Sequence, residues 1–329
     1  MANTLTNFQV YNEEFFGGLS ETVQQNAIQM NAGSAGTIRM VSVNQKGEFE
    51  RESFFTHVDG LVSRRDNTSI ADIPDLDMAQ GEFVAVKLNT KIGPVAKTLD
   101  AFKKIGEDPR LMSFSLGSMY GVDITLDYLN TGLLAARAAM ESVGDGMVLD
   151  IVGSTETNKK ITYEYLVRGL AKMGDRASRV KAWVMSSKTY YDLMEGAIAD
   201  KVTNVADVAI YQATVGSLGR PVLVTDSPAL VSPGATPGTD PDVYHVLGLT
   251  EDAIQINQSE DSSIYSEIIT GKESLMLRLQ GETAHTIGIK GFEYVGGANP
   301  DDAELGASAS FSYSMGDVKS GPGFMISVN

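Results

Sequence analysis

Few side chains in this sequence have the types and spacing that catalysis or metal binding requires. The three histidines, His57, His245 and His285, lie far apart and lack the spacing of a helical zinc site. A Ser-x-x-Lys pattern runs from Ser178 to Lys181, but no other motif of a serine enzyme accompanies it. The sequence therefore predicts no catalytic residue, no metal site and no cofactor.

Three aspartates, Asp72, Asp75 and Asp77, are close enough in sequence to suggest calcium binding. They lack the spacing of an EF-hand loop and its final glutamate, so we interpret them as part of a solvated acidic loop. His285 lies in an alternating strand pattern, which favours a structural histidine.

The composition excludes some classes of function. The chain has 329 residues, with 42 Asp+Glu against 26 Lys+Arg and a net charge of −16, which argues against sequence-independent binding of nucleic acid. It has no cysteine, so disulfides and thiolate metal sites are impossible. We find neither a signal peptide nor an apolar run long enough to cross a bilayer, and we expect no contact with membranes.

The first 40 residues are polar with scattered aromatic residues, and we predict an extended N-terminal arm. Phe8, Phe15 and Phe16 are its candidate anchors. An extended chain of 40 residues reaches up to ~130 Å, whereas a globule of this size has a radius of gyration of ~20 Å. Such an arm could reach neighbouring molecules. The alternative is a frayed terminus without a role.

Residues 41–92 predict a β-hairpin. Alternating patterns at 37–43 and 83–88 indicate two strands, and a long polar excursion containing Arg64 and Arg65 separates them. Because isolated hairpins are marginally stable in water, a projecting one needs a neighbour to pack on. The same pattern also fits a surface hairpin that folds back on its own domain.

Several helices and strands follow. We predict helices from Pro94 to Lys104, from Val122 to Val143 and after Thr162. The apolar run 182–185 predicts a strand, and the serines after it predict a helix start. The tail from Asn299 fits either one further strand or a flexible end.

Three segments resemble the major capsid proteins of tailed bacteriophages, which have the Hong Kong 97-type shell fold. They are AWVMSSKTYYDL at 182–193, LGRPVLVTD at 218–226 and HTIGIKGF at 285–292. The resemblance implies an α+β fold with an N-terminal arm, an extended β-hairpin loop, a peripheral domain and an axial domain. The implied boundaries are 1–40 for the arm, 41–92 for the extended loop, 93–200 with 272–297 for the peripheral domain, 201–271 for the axial domain and 298–329 for a C-terminal tail; the long spine helix would occupy about 114–143.

The same resemblance implies a function in self-assembly rather than catalysis. Hexamers and pentamers of many identical copies would form the icosahedral head shell around the double-stranded DNA genome, without sequence-specific DNA binding. The protein would be part of the virion and would assemble in the cytoplasm of the host bacterium. Nothing before residue 40 resembles a fused scaffold segment, so a separate scaffolding protein and a portal are implied as partners.

The candidate residues for contacts between subunits are aromatic residues of the arm and charged residues of the loop: Phe8, Phe15, Phe16, Arg64, Arg65, Asp72, Asp75 and Asp77. Two other interpretations stay open. An encapsulin-type compartment shares the fold but encloses protein cargo. A cytoplasmic enzyme with an unrecognised site would instead form small oligomers with a well-formed pocket.

Overall fold

The computed structural model describes residues 4–45, 47–55, 62–73, 75–76, 80–98, 109–203, 219–234 and 240–329. Side chains at 4–12, 109–112 and 196–203 lie outside this description. The α-helices of the described chain are α1 (Thr4–Gly33), α2 (Pro109–Val143), α3 (Tyr163–Met173), α4 (Ser187–Thr203) and α5 (Asp302–Leu305).

Thirteen strands occur in the described residues. They are β1 (Ile38–Ser42), β2 (Phe49–Phe55), β3 (Gln80–Thr98), β4 (Val148–Asp150), β5 (Val180–Met185), β6 (Val222–Val224), β7 (Val231–Ser232), β8 (Val243–Thr250), β9 (Ile254–Ile269), β10 (Met276–Ile289), β11 (Phe292–Tyr294), β12 (Phe311–Tyr313) and β13 (Gly323–Val328).

These strands form two sheets. The first sheet has the order β1-β9-β10-β3-β11-β12, and β2 pairs with β3 as a hairpin. The second sheet has the order β4-β13-β8-β5-β6, and β7 pairs with β8. Both sheets mix parallel and antiparallel pairs, and neither closes into a barrel. The α+β class predicted from the sequence is confirmed.

The long helix α2 contributes to the core beside the first sheet and reaches the second. Its inner face is made of small and aliphatic side chains, including Ala135, Ala136 and Leu133, which are fully buried. At 1.5 Å per residue its 35 residues span ~52 Å. The spacing predicted its C-terminal part and its end at Gly144, but it begins at Pro109 rather than Val122. Proline suits a first helical turn because that position needs no N–H donor.

A second apolar core lies between the second sheet and α3. Trp183 packs edge to face against Phe324, with ring centroids 5.6 Å apart. Thr162 caps α3 by accepting a hydrogen bond from the N–H of Tyr165, and Ser186 accepts one from Thr189 at the start of α4. The predicted helix starts after Thr162 and after the serine pair are confirmed.

The predicted extended arm is wrong in its local structure. Residues 4–33 form a helix, and its buried side chains Phe15 and Leu19 face α2 at helical spacing. The helix contains Gly17 and Gly18, but a glycine costs only ~1 kcal/mol inside a helix, which packing can offset. The helix ends at Gly33.

Two predictions around the hairpin also need correction. The strand that forms the hairpin with β3 is β2 and not β1, because β1 pairs in parallel with β9. The helix predicted from Pro94 is absent from the described part of that segment, because β3 continues through Pro94 to Thr98. Pro94 lies opposite a register shift between Leu279 and Gly281, and such irregularities tolerate a residue without an N–H.

The predicted domain boundaries at residues 201 and 271 do not follow the sheets. Strand β5, assigned to the peripheral part, pairs with β6 and β8 of the axial part. Conversely β9, assigned to the axial part, pairs along its length with β10 of the peripheral part. Strand pairing between distant segments decides this grouping, and composition along the chain does not reveal it.

The C-terminal segment 298–329 belongs to the body of the protein. All six residues of β13 are buried, and the strand lies between β4 and β8 in the second sheet. Strand β12 pairs with β11. The segment therefore contains two strands rather than the one further strand predicted, and the alternative of a flexible end is wrong.

Candidate functional site

The β2–β3 hairpin has a firm base. Its register runs from Phe49 opposite Val86 to Phe55 opposite Gln80. Phe54 stacks on Phe83 with ring centroids 4.2 Å apart and covers Gly81, where a β-carbon would lie 2.6 Å from the Phe54 ring. This packing holds the two strands in one register up to the point where the chain leaves them.

Beyond this base, the described residues of 62–76 contain no strand or helix, and all of them are exposed. We call this segment the hairpin tip. Asp66 accepts hydrogen bonds from the backbone N–H and the hydroxyl of Thr68, which lower the pKa of its carboxyl group. Such Asx turns order a loop locally without fixing it to the rest of the protein.

The tip exposes apolar side chains to a degree that is unusual for a soluble protein. Val62 is 95% exposed and Ile73 is 86% exposed, while Ile70 makes no contact that reduces its accessible surface. Leu76 is also exposed. Fully burying one such side chain is worth ~1.5–3 kcal/mol, so the tip gains substantially from any surface that covers it.

These apolar residues were missed in the sequence, where the charged residues of the loop drew attention. The signal that could have found them is the spacing Ile70, Ile73, Leu76 within an otherwise polar loop. Isolated exposed apolar residues are ordinary, but several within one loop indicate an interaction site.

The charged candidates of the loop share the same exposed segment. Arg64 and Arg65 are exposed, and within the described residues neither forms an ion pair. Asp72 and Asp75 are also exposed, and Asp77 lies outside the described residues. The structure therefore brings the two arginines and the two described aspartates into one loop with the apolar residues.

The aromatic candidates of the first 40 residues differ from one another. Phe15 is only 2% exposed and packs edge to face on Tyr120 of α2, with ring centroids 5.6 Å apart. It is therefore an internal core residue of this chain, not a free anchor for a neighbour. Phe16 is 37% exposed and remains available for contacts. The side chain of Phe8 lies outside the described part.

Three glycines let α1 and α2 approach at backbone distance. A β-carbon on Gly117 would lie 2.1 Å from the carbonyl oxygen of Phe15, and one on Gly18 would lie 2.4 Å from that of Phe114. Gly121 likewise faces Thr22 and Leu19. The Gly-x-x-x-Gly spacing of Gly117 and Gly121 is the local sequence signal for this close crossing.

The buried histidines are structural. His285 is held by Thr131 across 3.0 Å and lies against the ring of Tyr128, and burial lowers the pKa of His285 to about 3. His245 lies between Ser232 and Ser327, and burial together with the Arg137 charge lowers the pKa of His245 to about 4. Both are neutral at pH 7 and enclosed by the core, so neither faces a substrate.

The described residues contain no cluster of three or more His, Asp or Glu side chains that could hold a metal ion. None of their helices is both long and apolar enough to span a membrane. What distinguishes the described surface is the exposed hairpin tip.

Solved structures share this fold. The cyanophage Pam1 capsid protein is 13% identical, with a TM-score of 0.53 over 89% of this chain and 88% of that chain. A protein of Microbacterium phage Oxtober96 is 8% identical, with a TM-score of 0.51 over 91% and 90%. The capsid protein of Ralstonia phage GP4 is 11% identical, with a TM-score of 0.50 over 78% and 83%. These likenesses place the chain in the Hong Kong 97-like class of phage capsid folds.

A family model narrows this class. The model described as "Major capsid protein 13-like" matches residues 7–325, so the chain belongs to this family of phage major capsid proteins. Members of such a family are structural components of the phage head shell rather than enzymes, and many copies form the shell. A comparison with curated proteins found no match.

Proposed function

We propose that this major capsid protein assembles into hexamers and pentamers that close into an icosahedral shell around double-stranded DNA. The hairpin tip of each copy then packs on an adjacent copy. Contacts of this obligate kind commonly bury more than ~2,000 Å² in total. Repetition over many copies gives a stable shell even where each contact is weak.

One observation carries the proposal: the hairpin tip exposes Val62, Ile70 and Ile73 almost completely while its own body leaves them uncovered. A monomer gains nothing from such a loop, because apolar surface in water costs ~25 cal/mol per Å². A neighbouring copy is the partner that a shell supplies at every position. Arg64 and Arg65 would pair there with carboxylates of the neighbour.

The first 40 residues take a smaller part in this proposal than the sequence suggested. Because Phe15 and Leu19 are buried against α2, helix α1 is part of its own subunit. Its outer side, with Phe16 and Ile28 exposed, can still contribute to contacts. The exchange of chain between copies then rests on the hairpin.

The sheets suggest a revised division of the subunit. We assign the first sheet with α2 to the peripheral part, and the second sheet with α3 and α4 to the axial part that surrounds the five-fold and six-fold axes. Ring-closing, head-to-tail contacts between axial parts would produce the pentamers and hexamers. A scaffolding protein and a portal are further proposed partners, and host cytoplasm is the proposed place of assembly.

A pair of loop variants tests the role of the tip. Ile70→Asp places a charge on the apolar surface, and Ser63→Asp adds the same charge to a polar position of the same loop. We expect Ile70→Asp to remain a soluble subunit that forms no shells in negative-stain micrographs, whereas Ser63→Asp forms shells. Equal yields of shells from both variants would contradict the role of the tip.

The contents of the particles test the enclosed cargo. Particles from infected cells should contain nuclease-protected double-stranded DNA. Particles that contain one protein cargo and no DNA would instead indicate an encapsulin-type compartment. The family match favours the phage shell, and no observation in the structure favours the compartment.

A further inference from the structure

A surface cavity of about 410 Å³ gathers positive charge on this acidic chain. Four cations line it, namely Arg179, Lys181, Lys290 and Lys319, and its one lining carboxylate is Glu251. Most of the sequence has the opposite balance, with 42 acidic against 26 basic side chains. The cavity is therefore a local exception in the charge pattern of the protein.

The four cations come from four separate elements. Arg179 ends the 3-10 helix Gly174–Arg179, and Lys181 is the second residue of β5. Lys290 follows the end of β10, and Lys319 lies in the 3-10 helix Val318–Ser320. The fold of both sheets is needed to bring them together, so their proximity is not a result of sequence proximity alone.

Two of these cations have partners inside the subunit. Lys319 forms an ion pair with Asp175 across 3.1 Å, and Lys290 donates to the carbonyl oxygen of Glu251 across 2.7 Å. Burial lowers the pKa of Lys290, and the positive charge of Arg179 contributes in the same direction. The carboxylates of Asp252 and Glu251 act in the opposite direction, but they only partly offset the lowering of the Lys290 pKa.

Arg179 and Lys181 remain available. Both are exposed, and the part of the chain that the structure describes gives them no ion pair. Ser178 and Ser320, which carry hydroxyl groups, also line the cavity. Guanidinium, ammonium and hydroxyl donors around one cavity are the groups that bind oxyanions.

The charge of the whole chain indicates which anion the cavity binds. Residues 221–271 contain eight acidic residues and no Lys or Arg. Identical copies with a net charge of −16 repel one another, so a shell needs local contacts of opposite sign. In a head-to-tail contact two different patches of the same chain meet, which permits one basic and one acidic patch.

We propose that the basic cavity binds carboxylates from the acidic segment 221–271 of a neighbouring copy. This inference rests on the proposed function, because it needs copies that meet side by side. It names a second assembly contact, distinct in residues and chemistry from the apolar hairpin tip.

Charge reversal tests the contact. Arg179→Glu with Lys181→Glu should raise the protein concentration needed for shell formation at least ~10-fold, because buried charge pairs between subunits become repulsive. Lys97→Glu with Lys272→Glu is the matched control, since it changes net charge equally at exposed sites outside the cavity. The control should assemble at the wild-type concentration.

The outcomes separate this inference from the proposed function. If the wild-type protein forms no shells, the proposed function fails first. If the wild-type protein forms shells and the cavity variant assembles at the same concentration, the proposed contact is wrong. A cavity variant that forms normal shells but loses packaged DNA would overturn the inference by assigning the cavity to nucleic-acid phosphates.

Zero-length cross-linking identifies the partner directly. Shells assembled from equal amounts of ¹⁴N- and ¹⁵N-labelled protein are treated with a carbodiimide, which joins lysine amines to carboxylates in contact. We expect mixed-isotope peptides that join Lys181, Lys290 or Lys319 to segment 221–271. Shells that yield no mixed-isotope peptide between these lysines and segment 221–271 would contradict the proposal, whereas within-isotope links such as Lys319 to Asp175 are expected from the subunit itself.

Discussion

The carbonyl oxygen of Phe15 and the α-carbon of Gly117 leave no space for a side chain, since a β-carbon on Gly117 would lie 2.1 Å from that oxygen. This contact fixes α1 against α2. It also explains why residues 4–33 are part of the subunit body, although their composition suggested an arm.

Gly117→Ala should destabilise the protein. The new methyl group would force the two helices apart, at a cost of ~1–3 kcal/mol that exceeds the gain of up to ~1 kcal/mol in helix propensity. Gly17→Ala is the control, because nothing lies within 4 Å of its β-carbon. Urea unfolding should show a lower midpoint for Gly117→Ala and an unchanged or higher one for Gly17→Ala. Equal midpoints would mean that the helices do not cross at Gly117.

The C-terminal strand should be essential for folding. Phe324 is fully buried against Trp183 and lies over Gly169 of α3, where a β-carbon would be 2.2 Å from its ring. Phe324→Ala should cost ~3–5 kcal/mol, whereas Phe55→Ala, at an exposed position, should cost much less. Calorimetric melting of both variants measures the difference. A melting temperature unaffected by Phe324→Ala would show that β13 is not a core strand.

Lys87 and Glu260 form an ion pair that is buried on the lysine side only. Glu260→Gln should cost ~1–3 kcal/mol, since it leaves the buried ammonium group without its counter-charge. Glu267→Gln, on an exposed part of the same strand, should change stability by less than ~0.5 kcal/mol. Denaturant midpoints of the two variants check this. Similar small effects from both would indicate that Lys87 is compensated by other groups.

Acid should weaken the fold through its buried histidines. Their pKa values, about 4 for His245 and about 3 for His285, lie below the ordinary value of 6.5. Between the folded-state pKa and the ordinary value, the unfolded chain binds more protons than the folded one. The contribution of the neutral histidines to stability is therefore fully present above pH ~6.5 and is lost as the pH drops towards 4. The loss is on the order of 3 kcal/mol per histidine.

His285→Gln removes one of the two buried histidines and tests whether it contributes to the acid sensitivity. The wild-type urea midpoint should fall more between pH 7 and pH 5 than the midpoint of the variant. If both midpoints fall equally, groups other than His285 account for the acid sensitivity.

Local signals in the sequence predicted those elements whose cause is local. Thr162 and Ser186 cap their helices as expected, and the apolar repeat found the C-terminal part of α2. The strand β13 could not be placed, because its central position depends on pairing with β8 and β4. Likewise Pro94 suggested a helix start, whereas the pairing of β3 with β10 decides its conformation.

The candidate contact residues show the same difference between local signals, which the sequence reveals, and long-range packing, which it does not. The loop that carries Arg64 and Arg65 was found from its polar composition between two strands. Phe15 is buried where α1 packs against Gly117 of α2, which the composition of the first 40 residues does not reveal. The apolar residues Ile70 and Ile73 were missed, because exposure depends on where the loop lies and only the structure shows that.

Electron microscopy of the protein with and without its hairpin tip tests the central claim most directly. Residues 62–76 are replaced by a short Gly/Ser linker, and both proteins are imaged at the same concentration and salt. The wild type should form closed shells of uniform diameter, and the variant should remain as soluble subunits or small oligomers. Closed shells from the variant, or none from the wild type under conditions that keep it folded, would contradict the account.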